Sequence, residues 1–336
     1  MASSGELSGR PGDVRLTERG GIGTQRARRI AVAVFLLAAF AALLWGLLRA
    51  APNWERWIHE VPPGGWRLDA ARLSGAVGAA VAALLGTAWL WARLFRIAGG
   101  RLPVPEAMAT WLGSNLGRYV PGKIWQLVGI AGYLAARGDS AAAGFTVSLA
   151  LPVIMLATGA ALGVGFIGAA AFGGFGPSSI AIGLLVAVGA VHPATLRWLV
   201  RLGRRWLRES GPSAVVEISG RSLVGAAAVC VAMWGLYGFG FWLLIGGLMP
   251  SSPFGIPAAT GIFAAGYVLG YVVLLAPGGI VVREGTIAGL LGTTAGLAAG
   301  PAAAVAVAAR LWTIVAEILA FSIAAILRMR HTPEAG

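Results

Sequence analysis

Residues 115–126 read Asn115-Leu-Gly-Arg-Tyr-Val-Pro-Gly-Lys-Ile-Trp-Gln126 and form the most informative segment of the chain. A helix-breaking pair, Pro121-Gly122, lies here between two cations, Arg118 and Lys123, inside an apolar region. Within a bilayer, a broken backbone with charges beside it is tolerated only where it is buried in protein or lines a polar cavity. Lys123 is also the only lysine of the chain. The segment therefore predicts both a broken helix and a functional site.

The composition of the whole chain is typical of a helical membrane protein. Hydrophobic residues make up 57% of its 336 residues and charged residues only 12%, against about 25% in a typical soluble domain. Several apolar runs are long enough to cross a bilayer as helices. The net charge of +13 comes largely from arginines that flank those runs. Such a placement sets membrane topology and does not indicate nucleic-acid binding.

The chain divides into one membrane domain and two tails. Residues 1–29 are polar and rich in Gly, Ser and Arg, and we expect them to form a disordered basic cytoplasmic tail. Residues 30–330 are expected to form a single transmembrane domain, and residues 331–336 a short tail. The predicted fold class is all-α, a polytopic integral membrane protein.

Eight apolar runs predict about eight membrane-crossing helices. These runs are 30–48, 73–92, 140–171, 180–196, 222–248, 256–276, 285–297 and 301–327. Residues 104–136 form two further apolar pieces around Pro121-Gly122, each too short to span, which predicts a re-entrant hairpin of broken helices. A second helix break, at Pro277, Gly278 and Gly279, separates the sixth run from the seventh.

The distribution of arginine predicts the orientation of the chain in the membrane. Arginine-rich segments (1–29, 93–101, 197–208 and 328–330) alternate with arginine-free loops (173–179, 249–256 and 295–300). Because basic loops remain in the cytoplasm, we expect a multi-pass protein of the cell membrane with both termini cytoplasmic. The loop 49–72 departs from this pattern, since it carries four arginines, together with three acids, on the expected outer face.

Four more charged residues lie in the apolar regions: Arg283, Glu284, Arg310 and Glu317. Arg283 and Glu284 are adjacent in the sequence, and adjacent residues do not face each other on a helix. Arg310 and Glu317 would be roughly 10 Å apart along the helix axis, so neither acid can pair with the cation nearest to it in the sequence. We therefore expect each acid to pair with a cation on another element, Arg310 or Arg118 in the case of Glu284. With the two cations of the first break, four cations stand against two acids, which favours an anionic ligand such as a phosphate. The alternative is a set of ion pairs that only fixes the fold.

The candidate substrate-binding residues are these charged residues and the polar and aromatic residues of the first break. They are Arg118, Lys123, Arg283, Glu284, Arg310, Glu317, Asn115, Tyr119, Trp125 and Gln126. The helix-break residues are Pro121, Gly122, Pro277, Gly278 and Gly279. The three histidines lie far apart in the sequence, so no metal site, cofactor site or catalytic group is predicted. Three Gly-x-x-x-Gly spacings, starting at Gly266, Gly285 and Gly292, predict close helix packing.

Residues 117–124 also match the G-x-x-x-x-G-K spacing of a phosphate-binding loop. That loop needs a Ser or Thr after its lysine to bind magnesium, and the residue here is Ile124. Pro121 also removes one of the backbone N–H groups that would bind phosphate. A nucleotide site is therefore excluded at this position.

The segment 115–126, followed by Pro277-Gly-Gly-Ile-Val-Val-Arg-Glu284 and by Arg310, resembles the transmembrane region of lysylphosphatidylglycerol synthases, also called the flippase-like domain. The resemblance covers roughly residues 30–330. The second motif departs from the family pattern at Ile280 and Val281, where Leu and Gly are expected. In full-length family members this region moves an aminoacylated lipid between leaflets, and a separate cytosolic domain attaches the amino acid. The resemblance implies a stand-alone lipid-translocating module without synthase activity.

The leading hypothesis is a lipid flippase that is not an enzyme and needs no cofactor. Its partner would be an anionic membrane lipid, a phosphate-bearing phospholipid or glycolipid. The cations of the two breaks would hold the headgroup, and Glu284 and Glu317 would neutralise them when the site is empty.

Two other hypotheses belong to different functional classes. One is a membrane-embedded glycosyltransferase-like enzyme that uses a polyprenyl-phosphate donor, for which only Glu55, Glu60 and Asp69 could serve as outer-face acids. The other is a non-catalytic membrane partner that recruits a separate lipid-modifying synthase or glycosyltransferase through the basic segment 197–208.

Overall fold

The computed structural model describes residues 60–62, 64–116, 124–171, 219–250, 254–272 and 281–331. Throughout these ranges the regular secondary structure is helical, without strands. The helices are α1 Ala70–Ile97, α2 Val104–Leu116, α3 Ile124–Ala136, α4 Ala141–Ala171, α5 Gly220–Leu248, α6 Ile256–Val272, α7 Val282–Ala295 and α8 Ala299–His331. The predicted tails and the predicted runs 30–48 and 180–196 lie outside the part of the chain that the structure describes, apart from His331.

Four of these helices, α1, α4, α5 and α8, are long and apolar enough to cross a membrane. The all-helical membrane fold agrees with the sequence, but the predicted count of eight crossings is not reached in the described ranges. The run 285–297 corresponds to α7, which has 14 residues, and the 17 described residues of α6 belong to the run 256–276, whose last four residues lie outside the described ranges. A helix that crosses the bilayer alone needs about 20 residues.

Side chains that precede the long helices fix where they begin. Asp69 caps α1 by accepting hydrogen bonds of 3.1 Å from the backbone N–H groups of Ala71 and Arg72. Ser140 caps α4 by accepting a hydrogen bond of 3.2 Å from the N–H of Ala143. Glu60 accepts a hydrogen bond of 2.6 Å from the N–H of Gly300 in the first turn of α8. Each carboxylate or hydroxyl satisfies an N–H group that the helix leaves open.

Helices α1 and α5 lie antiparallel. Backbone hydrogen bonds join Arg67 N–H to the Leu248 carbonyl at 2.9 Å and Asp69 N–H to the Gly247 carbonyl at 3.0 Å. The start of α1 is thus beside the end of α5. Helix α6 in turn packs against α5 at Gly238, where Thr260 leaves no room for a Cβ atom.

Helices α2 and α3 form a helical hairpin, here called the first hairpin. Near its tip, the Gln126 side chain donates a hydrogen bond to Asn115 Oδ1. At its base, Tyr133 Oη donates to Glu106 at 2.7 Å, and Arg137 forms an ion pair with Glu106 at 3.0 Å. The two 13-residue helices are therefore antiparallel, which is the arrangement expected for residues 104–136.

Helices α6 and α7 form a second hairpin. Gly266 packs against Ile287, and a Cβ atom at Gly270 would come within 2.8 Å of the Arg283 Cβ. The predicted close packing at Gly266 and Gly270 is confirmed. The same prediction is wrong for Gly285 and Gly289 as far as the described residues go, because an added Cβ at either position meets none of them within 4 Å.

The two hairpins start from opposite ends of the bundle. The base of the first hairpin lies beside Arg328 of α8, whose guanidinium is 5.8 Å from the Tyr133 ring centre. This end, which also carries Arg96, Arg101 and Arg137, is called the arginine-rich end. The second hairpin begins after the C-terminus of α5 and ends before the N-terminus of α8. Both of those termini contact residues that precede α1, at the opposite end.

Candidate functional site

A cavity lies between the two hairpins. Its wall includes Asn115 and Gln126 from the first hairpin and Tyr267 and Tyr271 from the second. The rest of the wall comes from α1, α2, α4 and α5 and consists of Leu84, Thr87, Trp111, Leu151, Pro152, Met155, Leu156 and Tyr237. The cavity holds about 640 Å³ of empty space, including its open mouth.

The first hairpin brings two predicted site residues into the cavity wall. Asn115 lies in the last turn of α2, and Gln126 lies in the first turn of α3. The hydrogen bond between their amides joins the end of α2 to the start of α3. The other candidates of this break, Arg118, Tyr119, Pro121, Gly122 and Lys123, lie outside the described residues, as does the side chain of Trp125.

The base of the first hairpin is fixed by a buried carboxylate. Glu106 is only 8% exposed, and it accepts a hydrogen bond from Tyr133 while pairing with Arg137. Burial, followed by the hydrogen bond to Glu106, raises the pKa of the Tyr133 phenol. The phenol therefore remains protonated and donates to the carboxylate. Glu106 lies on α2, whereas Tyr133 lies on α3 and Arg137 directly follows it. These side-chain contacts therefore hold α2 and α3 together at the arginine-rich end.

The second hairpin positions Glu284 at the start of α7. Its Oε2 atom accepts a hydrogen bond of 2.8 Å from the N–H of Val281, and its Oε1 atom lies 3.7 Å from Arg310 Nη1. Glu284 thus caps α7 and also links it to α8. The expectation that Glu284 pairs with a cation on another element is confirmed, and the partner is Arg310.

Arg283 contacts aromatic rings and lies next to the cavity. Its side chain is buried, and its guanidinium is 4.9 Å from the Phe263 ring centre and 5.5 Å from the Tyr267 ring centre. Gly270 leaves the space that this side chain needs. A cation over an aromatic face is attracted by the negative face of the ring. Arg283 therefore reaches one of the rings that line the cavity.

Glu317 is buried on α8 and does not line the cavity. Arg283, Glu284 and Arg310 also do not belong to the described wall. The predicted break residues Pro277, Gly278 and Gly279 lie outside the described residues. The structure thus pairs Glu284 with Arg310 and Asn115 with Gln126, and it places Arg283 beside the wall.

Sequence reasoning missed the tyrosines of the cavity. Three of the five tyrosines of the chain, Tyr237, Tyr267 and Tyr271, line this one space. They come from two helices and are distant from residues 115–126 in the sequence. Their rarity in a chain otherwise rich in Ala, Gly and Leu was the available signal.

The described part of the chain contains no group of three or more His, Cys, Asp and Glu side chains that would hold a metal ion. No model of a known protein family matches this chain, and no curated protein matches it. The resemblance to the flippase-like domain therefore depends on residues 115–126, residues 277–284 and Arg310.

Proposed function

We propose that this protein is a translocase that moves a phosphate-bearing phospholipid or glycolipid between the leaflets of the cell membrane. The observation that carries the proposal is the cavity between two hairpins that start from opposite ends of the bundle. Transporters commonly place their substrate site near mid-membrane, between broken helices that occupy corresponding positions in two halves of the chain. Here the hairpins would enter the membrane from opposite faces, and the headgroup would bind between their tips.

The charged residues support an anionic substrate. Among the described candidate residues, two cations, Arg283 and Arg310, stand against two acids, Glu284 and Glu317. The excess of positive charge must therefore come from Arg118 and Lys123 at the first break. A phosphate would bind those two cations, while its acyl chains remain in the bilayer. The chain has no nucleotide motif, so transport would be passive or coupled to an ion gradient.

The arginine-rich end would face the cytoplasm. Basic residues cluster there at the ends of α1, α3 and α8, and basic segments remain on the cytoplasmic side. The loop before α1, which carries arginines at the opposite end, is partly neutralised. Arg72 pairs with Asp69 at 3.5 Å and donates to the Gly246 carbonyl at 2.9 Å. Both termini would then be cytoplasmic, as the sequence predicts.

The contacts of two acids make the glycosyltransferase hypothesis less favourable. Glu60 accepts from the backbone of α8, and Asp69 caps α1 and pairs with Arg72. Both carboxylates therefore have structural partners, and Glu55 lies outside the described residues. The recruitment hypothesis depends on the segment 197–208, which also lies outside them. We therefore favour transport.

Lys123 provides the test of this function. In vesicles with fluorescent phosphatidylglycerol, reduction of the label from outside measures transfer between leaflets. We expect Lys123→Ala to abolish transfer at unchanged thermal stability, and Lys123→Arg to retain part of it, because the charge remains while its geometry changes. If Lys123→Ala instead lowers stability and leaves transfer per folded molecule normal, Lys123 has a structural role and the proposal fails.

A further inference from the structure

The described wall of the cavity has an unusual chemistry for a site that takes an anionic lipid. It contains aromatic rings, two amides and four hydroxyl groups, but no charged side chain. Trp111, Tyr237, Tyr267 and Tyr271 contribute aromatic surface. The paired amides offer further polar atoms, since the Asn115 amide nitrogen is a donor and the Gln126 carbonyl oxygen is an acceptor.

Trp111 supplies an independent indication of a ligand. It is only 4% exposed, and its indole N–H has no hydrogen-bond acceptor within the described part of the chain. A buried donor without an acceptor is costly and rare in folded proteins. Trp111 belongs to the cavity wall, but its N–H is closed off from water in the empty cavity. An acceptor oxygen of a bound molecule would supply the missing hydrogen bond once the wall adjusts around that molecule.

The position of Arg283 argues against a cationic headgroup. Aromatic walls often bind quaternary ammonium groups. Here, however, the guanidinium of Arg283 already lies 5.5 Å from the ring centre of Tyr267 and 4.9 Å from that of Phe263. A second cation near the same rings would be repelled by Arg283. An uncharged group with oxygen atoms avoids this repulsion.

We infer that this cavity binds the sugar or cyclitol ring of a lipid headgroup. The inference rests on the proposed translocase function and narrows its substrate to phosphate lipids that carry a polyhydroxylated ring. The C–H faces of such a ring would pack on the tyrosine rings, and its hydroxyl groups would bond to Trp111, Asn115 and Gln126. A mostly apolar wall with a few placed polar groups is the usual design of a specific small-molecule site.

The experiment compares three fluorescent lipids in the vesicle assay: phosphatidylinositol, phosphatidic acid and phosphatidylcholine. All three carry a phosphate, but only the first carries a hydroxylated ring, and the third carries a quaternary ammonium group. We expect phosphatidylinositol to cross fastest. Trp111→Phe keeps an aromatic ring but removes the N–H. We expect it to lower the ratio of the phosphatidylinositol transfer rate to the phosphatidic acid transfer rate about fivefold, as expected for one lost hydrogen bond.

Trp312→Phe is the matched control. Trp312 also has a buried indole N–H without an acceptor in the described ranges, but it does not line the cavity, so its replacement should leave the lipid ratio unchanged. Tyr271→Phe removes a hydroxyl group from the wall and serves as a second variant if Trp111→Phe does not fold. It should also lower the ratio of phosphatidylinositol to phosphatidic acid transfer.

Three outcomes would overturn the inference. Equal transfer of all three lipids by the wild type would refute ring recognition and leave the translocase function standing. A wild-type preference for phosphatidylinositol that survives both Trp111→Phe and Tyr271→Phe would place the recognition elsewhere. Transfer of none of the lipids would refute both the inference and the proposed function.

Discussion

Val281 has a backbone conformation that its own side chain opposes. Its φ is +74° and its ψ is −47°, and no other non-glycine residue in the described ranges has a positive φ. A β-branched residue in such a conformation costs about 1–3 kcal/mol. The residue directly precedes α7, and its N–H donates to Glu284. It is also the position at which the flippase-like pattern has glycine.

We expect Val281→Gly to raise the free energy of unfolding by about 1 kcal/mol, because glycine adopts positive φ without a steric penalty. Val282→Gly is the matched control. Val282 lies in the first turn of α7, and glycine inside a helix costs about 1 kcal/mol. Thermal unfolding in detergent measures both variants. A melting temperature of Val281→Gly at or below that of the wild type would show that Val281 is not strained.

At the scale of single residues, the sequence identified polar residues near the breaks, but it did not predict which side chains they contact. Asn115 and Gln126 were recognised because they flank Pro121-Gly122 in one continuous segment. The position of Arg283 on Phe263 and Tyr267 depends on how α7 packs against α6, which no local pattern specifies. Tyr237 belongs to the wall only because α5 packs against α6 and α4. These contacts join residues that are distant in the sequence.

The elements α7 and α8 are joined by the Glu284–Arg310 pair, whose side chains are 19% and 15% exposed. We expect Glu284→Gln and Arg310→Met each to lower the free energy of unfolding by about 3 kcal/mol, because each removes one member of a largely buried charge pair. Glutamine still offers an oxygen to the Val281 N–H, so the cap is retained. The double variant should lose less than the sum of the two single losses. Denaturant unfolding measures this cycle.

The exposed pair Asp69–Arg72 is the control for that cycle. Its side chains are 43% and 48% exposed, and exposed pairs couple by less than about 1 kcal/mol. Additive losses for Glu284 and Arg310 as well would mean that their contact does not stabilise the junction of α7 and α8.

The two hairpins differ in how far the sequence predicts them. The first was predictable because Pro121-Gly122 divides an apolar region into pieces that are each too short to span. The second was predicted as two crossings, because the run 256–276 has the length of a crossing. In the structure α7 has 14 residues, and glycines at 266 and 270 allow α6 and α7 to pack closely.

For the whole molecule, the arginine-rich end should face the cytoplasm. Ala136, at the base of the first hairpin, and Ala298, before α8, are exposed at opposite ends of the bundle. In a Cys230→Ala background, which removes the single native thiol, we expect an impermeant thiol reagent to label Ala298→Cys in intact cells. Ala136→Cys should be labelled only after permeabilisation. The reverse pattern would invert the orientation.

The central claim is that lipid passes between the two hairpins, and a reversible cross-link across the cavity tests it most directly. Asn115→Cys and Tyr271→Cys place one thiol on each hairpin in the cavity wall. A reducible bifunctional reagent joins them in the Cys230→Ala background. The control pair, Arg67→Cys and Leu248→Cys, joins segments that already share a backbone hydrogen bond at the opposite end. Transfer of fluorescent phosphatidylglycerol is measured before cross-linking, after it, and after reduction.

We predict that the cross-link between the hairpins stops lipid transfer and that reduction restores it, while the control cross-link leaves the rate unchanged. Undiminished transfer through a fully cross-linked cavity would contradict the claim, because the lipid would then follow another path.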